Sequence, residues 1–382
     1  MIYVHIPFCR SFCTYCDFYS EVAAKCRGTE DARKQDELFG EFADALVAEV
    51  RMRGQEITDD TNTLYIGGGT PSVLPLYVFE RLLDALHELG HGGPYNEFTV
   101  EVNPEDIVDK GEDYVKGLLA MGVNRISMGV QSFDDGILKF MNRRHTSSVA
   151  RNAYAILENA GVRNISVDLI FGLPQLSDDQ WDDTLKAVLE ISPSGRPPQH
   201  VSAYQLSVEP GSMLARMVEK GRFEEAPEEL CEHQYAMLCK ALGRAGYHHY
   251  EISNFAQPGY EAVHNSAYWK HIKYVGLGPG AHSFADGRSR QWNRPDLQAY
   301  IGDPLSVQES EILDDEQIAL EKVMLALRTS EGISESYLMA NCQTSAVEAA
   351  LAEGNLVRTS DARIRIPENR FFISDAVISS LF

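Results

Sequence analysis

The sequence lacks any apolar run approaching the ~20 residues that a bilayer-crossing helix requires, and no transmembrane segment is expected. It also lacks a secretory leader: the apolar stretch from Ile2 to Phe8 is short, carries His5 and Pro7, and runs straight into cysteines. A cytoplasmic location is the resulting expectation. Positive charge is scarce, with 34 Lys+Arg against 56 Asp+Glu and a formal net charge of −22, and there is no basic run. Such a field repels phosphate backbones, so a nucleic-acid partner is not expected. No low-complexity tract and no internal repeat beyond a βα unit is present.

Cysteine is not lacking, but seven of them, an odd number in a chain without an export signal, argue for reduced thiols over a disulfide framework. Three of them, Cys9, Cys13 and Cys16, crowd into FCRSFCTYC. One use is a closed structural zinc site completed by His5 or Cys26. Against it, Cys26, Cys231, Cys239 and Cys342 form no second knuckle. The other use is a [4Fe-4S] cluster, which normally takes four thiolates. Three would leave one iron open to a chelating ligand such as the amino and carboxylate groups of S-adenosylmethionine (SAM).

Short β-rich runs alternate with helix-length amphipathic segments. The strands are expected at 2–6, 62–66, 98–102, 124–130, 164–172 and 200–208, with helical patterns between them, several ending at a glycine (Gly90, Gly122, Gly161). This alternation predicts a parallel sheet with right-handed crossovers. About six βα units suit an open, partial barrel first and a doubly wound sheet second. In both, the loops after the strand C-termini build the site, and the cysteines, GGGTP (Gly67 to Pro71) and Glu101 fall there. Beyond Val208 the alternation fades into EPGSMLARM, a helix over 227–246, and two loops, HNSAYWK and GLGPGAHSF. From Asp314, helix, helix and hairpin resemble a winged helix, although the segment is not basic. Three segments are expected: 1–210 with the cluster, 211–305 as an extension with the two loops, and 306–382 as a smaller α+β winged-helix-like domain.

CxxxCxxC with Tyr15 before the last cysteine, following a first strand, resembles the radical SAM superfamily, whose fold is a partial (β/α)6 barrel. The resemblance implies Cys9, Cys13 and Cys16 as ligands of a [4Fe-4S] cluster. It implies SAM contacts from Gly68, Gly69 and Thr70 of GGGTP, from Glu101 in VEVNP, and from Tyr3 and Tyr15 near the cluster. Gln131, Arg143 and Asp168 match residues that touch a second SAM in relatives, and Ser207 lies where a further small residue does.

YxHIPFC, GGGTP, EVNP, MGVQSF, DLIFGLP and LGPGAHS together resemble the coproporphyrinogen-dehydrogenase-like group, from Met1 to roughly Arg294. Its decarboxylating oxygen-independent coproporphyrinogen III dehydrogenases carry another cysteine two residues after the third ligand and an extension before the first strand. Here Asp17 and Phe18 follow Cys16, and the sequence opens on the strand. Both features point to the haem-chaperone subgroup, whose HNxxYW motif matches His264, Asn265, Tyr268 and Trp269. A neutral His264 could ligate iron, and the two aromatic faces could meet a macrocycle. The expected function is a haem chaperone with a haem-acceptor protein and an electron donor as partners. The alternative is an oxygen-independent coproporphyrinogen III dehydrogenase, a radical enzyme that decarboxylates two propionates.

Overall fold

The computed structural model describes residues 1–22, 29–58 and 62–382. Cys26, weighed above as a zinc ligand, lies outside the described residues.

All six expected strands form, in order: β1 (Ile2–Ile6), β2 (Thr63–Gly68), β3 (Glu97–Val102), β4 (Arg125–Gln131), β5 (Ile165–Phe171) and β6 (His200–Gln205). They pair in parallel, each with the next. The crossovers are α1 (Thr29–Arg53), α2 (Leu76–Glu88), α3 (Pro104–Ala120), α4 (Ser147–Ala160) and α5 (Asp178–Leu189). Gly161 caps α4 with a left-handed φ of 104°, as its position at the end of the periodic run predicts.

The sheet is larger than the six-strand reading. A seventh parallel strand, Val275–Leu277, which runs into GLGPGAHSF, lines the outer edge of β1, and His248–Glu251 and Asn254–Ala256 extend the edge at β6 in antiparallel sense. The two edges do not meet, so the barrel is open. Hydrogen-bonded ladders also cross both expected segment boundaries: β6 pairs with Asn254–Ala256, and Gln308–Ile312 pairs with Ser289–Asn293.

A parallel sheet covered by helices on both faces reads as near-continuous hydrophobic strands. These strands alternate instead. Val4, Leu64, Val100, Met128, Val167 and Val201 are fully buried against the helices. The residues between them, including Tyr3, Tyr65, Glu101, Arg125, Asp168 and Ser202, turn to the concave side, which no crossover helix covers. Since side chains alternate along a strand, one sequence run supplies both an apolar core and a polar lining.

EPGSMLARM, where the alternation fades, opens into a helix, Met213–Glu219, capped by the Ser212 hydroxyl. HNSAYW, read as a loop, lies in α6, Val263–Trp269. Its cap is remote: the Glu97 carboxylate accepts the backbone N–H groups of Val263 (2.7 Å) and His264 (3.1 Å). A negative charge there satisfies orphan donors and favours the helix dipole. No local residue signals this helix start, which is why the sequence reads as a loop.

The C-terminal segment holds the helices Asp315–Ala326 and Thr344–Ala352, another at Glu335–Asn341 between them, and a small three-stranded sheet. GIS contributes the first strand of that sheet, Ile333–Ser334, and the Ser334 hydroxyl caps the middle helix. Among the described residues no helix is long and apolar enough to cross a membrane.

Candidate functional site

A cavity of about 600 Å³ opens where the strand C-termini converge on the concave face. The structure brings to its wall Cys9, Cys13, Tyr15, Cys16, Gly68, Gly69, Thr70, Glu101, Gln131, Arg143, Asp168, Ser207 and Asn265. Tyr3, His264, Tyr268 and Trp269 are not among the lining residues.

The thiols sit on the loop after β1, which the fold fixes at several points. Thr14 N–H donates to the Met141 carbonyl (3.1 Å), Leu214 N–H to the Thr14 carbonyl (2.8 Å) and the Asn142 amide to the Phe12 carbonyl (2.7 Å). Cys9 Sγ is 3.4 Å from Thr70 Oγ1, and Arg143 donates to Cys13 Sγ at 3.4 Å. Burial raises the Cys9 thiol and pushes Cys16 up to about 12, so both hold their protons at neutral pH until a cation compensates them. His5 does not join them: its ring nitrogens face the Tyr3 hydroxyl (3.1 Å) and the Tyr19 carbonyl (2.8 Å). Among the described residues, no group of three His, Cys, Asp or Glu is placed to hold a single metal ion.

GGGTP packs on this loop. A Cβ on Gly69 would stand 2.7 Å from the Phe8 carbonyl oxygen, and Gly68 combines a φ of +103° with a Cβ position 2.6 Å from the His5 ring. Only glycine fits such an approach. The loop's N–H groups are engaged: Gly68 donates to Glu101 Oε2 (3.2 Å), Gly69 to the Ile6 carbonyl (2.8 Å) and Thr70 to the Phe8 carbonyl (2.7 Å). The loop therefore offers a ligand acceptors more than donors.

Glu101 also accepts the Tyr65 hydroxyl at 2.7 Å. Burial, with Asp168 adding to it, raises its carboxyl to about 7 despite these donors. Asp168 accepts from Ser127 (3.1 Å) and Ser166 (3.4 Å), and burial raises it as well. Two carboxylates that resist ionisation on one buried face make a receptor for a cation. Gln131 sits at a register shift between β4 and β5 with φ +70°, a strained conformation for a non-glycine residue beside a cavity. Arg143 is clamped by Asn103 Oδ1 (2.7 Å) and the Gly129 carbonyl (2.6 Å).

The HNSAYW helix is built differently. His264 is fully buried, with Nδ1 2.9 Å from the Thr63 hydroxyl and Nε2 3.0 Å from the Tyr268 hydroxyl. Burial lowers it to about 3, so the imidazole is neutral. Tyr268 packs edge-on against Tyr274 with centroids 4.8 Å apart. Of this motif, Asn265 alone reaches the cavity wall.

Sequence reasoning missed Arg125, Ser127, Ser202 and Tyr204, which share the lining with Phe12 and Phe18. Stepping by two from Glu101 and Asp168 along their own and neighbouring strands would have found the first four.

A model of the radical SAM superfamily matches residues 3–188. The chain is 32% identical over 351 residues to the heme chaperone HemW of Synechocystis sp., covering 90% of this chain and 81% of that protein. It is 30% identical over 391 residues to the heme chaperone HemW of Bacillus subtilis, with 99% and 98% covered. It is 35% identical over 291 residues to that of Escherichia coli, with 75% and 71% covered. Among solved structures, coproporphyrinogen III oxidase (HemN) from Escherichia coli superposes with a TM-score of 0.79 at 21% identity, over 100% of this chain and 89% of that one. That likeness is one of fold.

Proposed function

Since the chain belongs to the radical SAM superfamily and, within it, to the family of heme chaperones named HemW, we propose that it binds a [4Fe-4S] cluster, SAM and haem, and delivers haem to an acceptor protein in the cytoplasm. The observation that carries this reading is the single cavity wall shared by three cysteine thiols, an acceptor-rich glycine loop and the buried carboxyl of Glu101. When bound, the cluster supplies an electron and an open iron.

Cys9, Cys13 and Cys16 hold the cluster as thiolates. Arg143, donating to Cys13, offsets part of their charge. Glu101 and the carbonyls of the glycine loop take the methionine amino group of SAM, because an amino group needs acceptors and the N–H groups there are engaged. Tyr15 supplies an apolar wall, and Gln131, Arg143 and Asp168 bind polar parts of the cavity's contents. His264, Asn265, Tyr268 and Trp269 form the haem motif, with Asn265 facing the cavity. Ligation through Nε2 of His264 requires its hydrogen bond to Tyr268 to open. The division into 1–210, 211–305 and 306–382 is one of roles: cluster and SAM, haem motif, and partner contact.

The test is anaerobic reconstitution followed by haemin titration of wild type and His264→Ala. About four iron per chain and a haem spectrum altered by the substitution support the proposal. One zinc and no iron, or equal affinity with identical spectra, would remove the cluster or the ligand respectively. A second reading, decarboxylation of coproporphyrinogen III, is favoured by Gln131, Arg143 and Asp168 standing together at the cavity. Incubation with that substrate, SAM and a reductant decides it, since absence of protoporphyrinogen while SAM is cleaved excludes this reading.

A further inference from the structure

The cavity contains a cation with no partner. Arg125 is the second inward residue back from Gly129 along β4, it lines the cavity, and its residue is 2% exposed. Among the described residues its Nε finds no acceptor, and no carboxylate stands within ion-pair distance of its guanidinium. In register beside it on β3, the buried Thr99 hydroxyl is also without a hydrogen-bond partner. Arginine is almost never buried unpaired, and leaving its charge uncompensated is destabilising.

The nearby acids do not explain it. Glu101 has Tyr65 and the Gly68 N–H as donors, and Asp168 has Ser127 and Ser166. Arg125 adds only a longer-range field to both. In a chain of net charge −22, the protein has many carboxylates that could have closed this pair and places none there. A planar guanidinium with free N–H groups matches a carboxylate better than any other common ligand group.

We propose that Arg125 receives a carboxylate of the molecule held in the cavity. This deepens the function proposed above and rests on it for the two molecules that can supply the group: the α-carboxylate of SAM or a propionate of haem. Glu101 would then select the cationic end and Arg125 the anionic end, from strands that lie side by side.

The experiment uses the anaerobically reconstituted full chain and titrates two pairs of ligands, haemin against its dimethyl ester and SAM against decarboxylated SAM, into wild type, R125Q and R125K. The readout is how far substitution changes each preference for the acid. If the propionate is the partner, R125Q reduces the preference for haemin over its ester by about tenfold and leaves the SAM pair unchanged. If the α-carboxylate is the partner, the SAM pair changes and the haem pair does not. R125K keeps the charge and retains part of the preference, which also covers the case in which R125Q does not fold. Both preferences unchanged in the substituted chains would overturn the proposal. Wild type that binds neither haem form refutes the haem-chaperone reading, while the SAM pair still reads Arg125.

Discussion

The cavity wall and the HNSAYW helix meet β2 at Gly68 and at Thr63, and Asn265 alone of that motif also reaches the wall. Gly68, at the C-terminus of β2, joins a wall where Arg125 carries an unmet polar atom and two carboxyls are raised by burial. Thr63, at its N-terminus, meets a histidine whose two ring nitrogens are already occupied. Buried polar atoms that satisfy one another hold a structure together, whereas buried polar atoms left unmet prepare it for a ligand. Two motifs that look equally functional in sequence thus have different present states.

The contrast is broken or sharpened most strongly at His264. His264→Ala removes a partner from both Thr63 and Tyr268 and opens a cavity in the core. It is expected to destabilise the apoprotein by about 2–4 kcal/mol in denaturant unfolding, with SAM affinity unchanged once folded. A stability loss below measurement error would show that the His264 hydrogen bonds do not hold the helix in place.

A medium effect is expected from Glu101 through pH. Its folded value of about 7 stands above the ordinary 4.5, so the folded chain binds more protons than the unfolded chain between those values. Apoprotein stability therefore falls as pH rises through that window, and Glu101→Gln flattens the fall. SAM binding has the opposite sign, because its amino group calls for the ionised carboxylate. Wild-type affinity should drop by up to about tenfold per pH unit below 7, following the protonated fraction, and E101Q should be weak and flat. A wild-type affinity that does not vary between pH 5.5 and 8 would detach Glu101 from the amino group.

The smallest effect is at Gln131. Gln131→Gly releases a left-handed residue worth about 1–2 kcal/mol and gives back part of that as chain entropy. Thermal unfolding should be unchanged or slightly higher in Tm, with ligand affinity reduced. A clear loss of Tm would mean that the Gln131 side chain supports the fold and is not strained for binding.

Much of this was legible in the residues. Cysteine spacing, the glycine run and strand-terminal carboxylates are local features, and strands of alternating character placed them at one end of a parallel sheet. Arg125 escaped notice because nothing local distinguishes a buried arginine from an exposed one. Its meaning comes from the carboxylate that neighbouring strands do not supply. The HNSAYW helix escaped notice because its first N–H groups are satisfied by Glu97, far away in the chain.

By itself the sequence determined the order of strands and helices, the three-thiol loop and the glycine approach, since each follows from periodicity, spacing or side-chain size within a few residues. Only the tertiary structure decided which polar groups are closed and which are open. That depends on the register between strands and on partners far apart in the chain, 201 residues in the case of Thr63 and His264. Hydrogen bonding and desolvation are properties of what surrounds an atom, and a chain acquires those surroundings only when it folds.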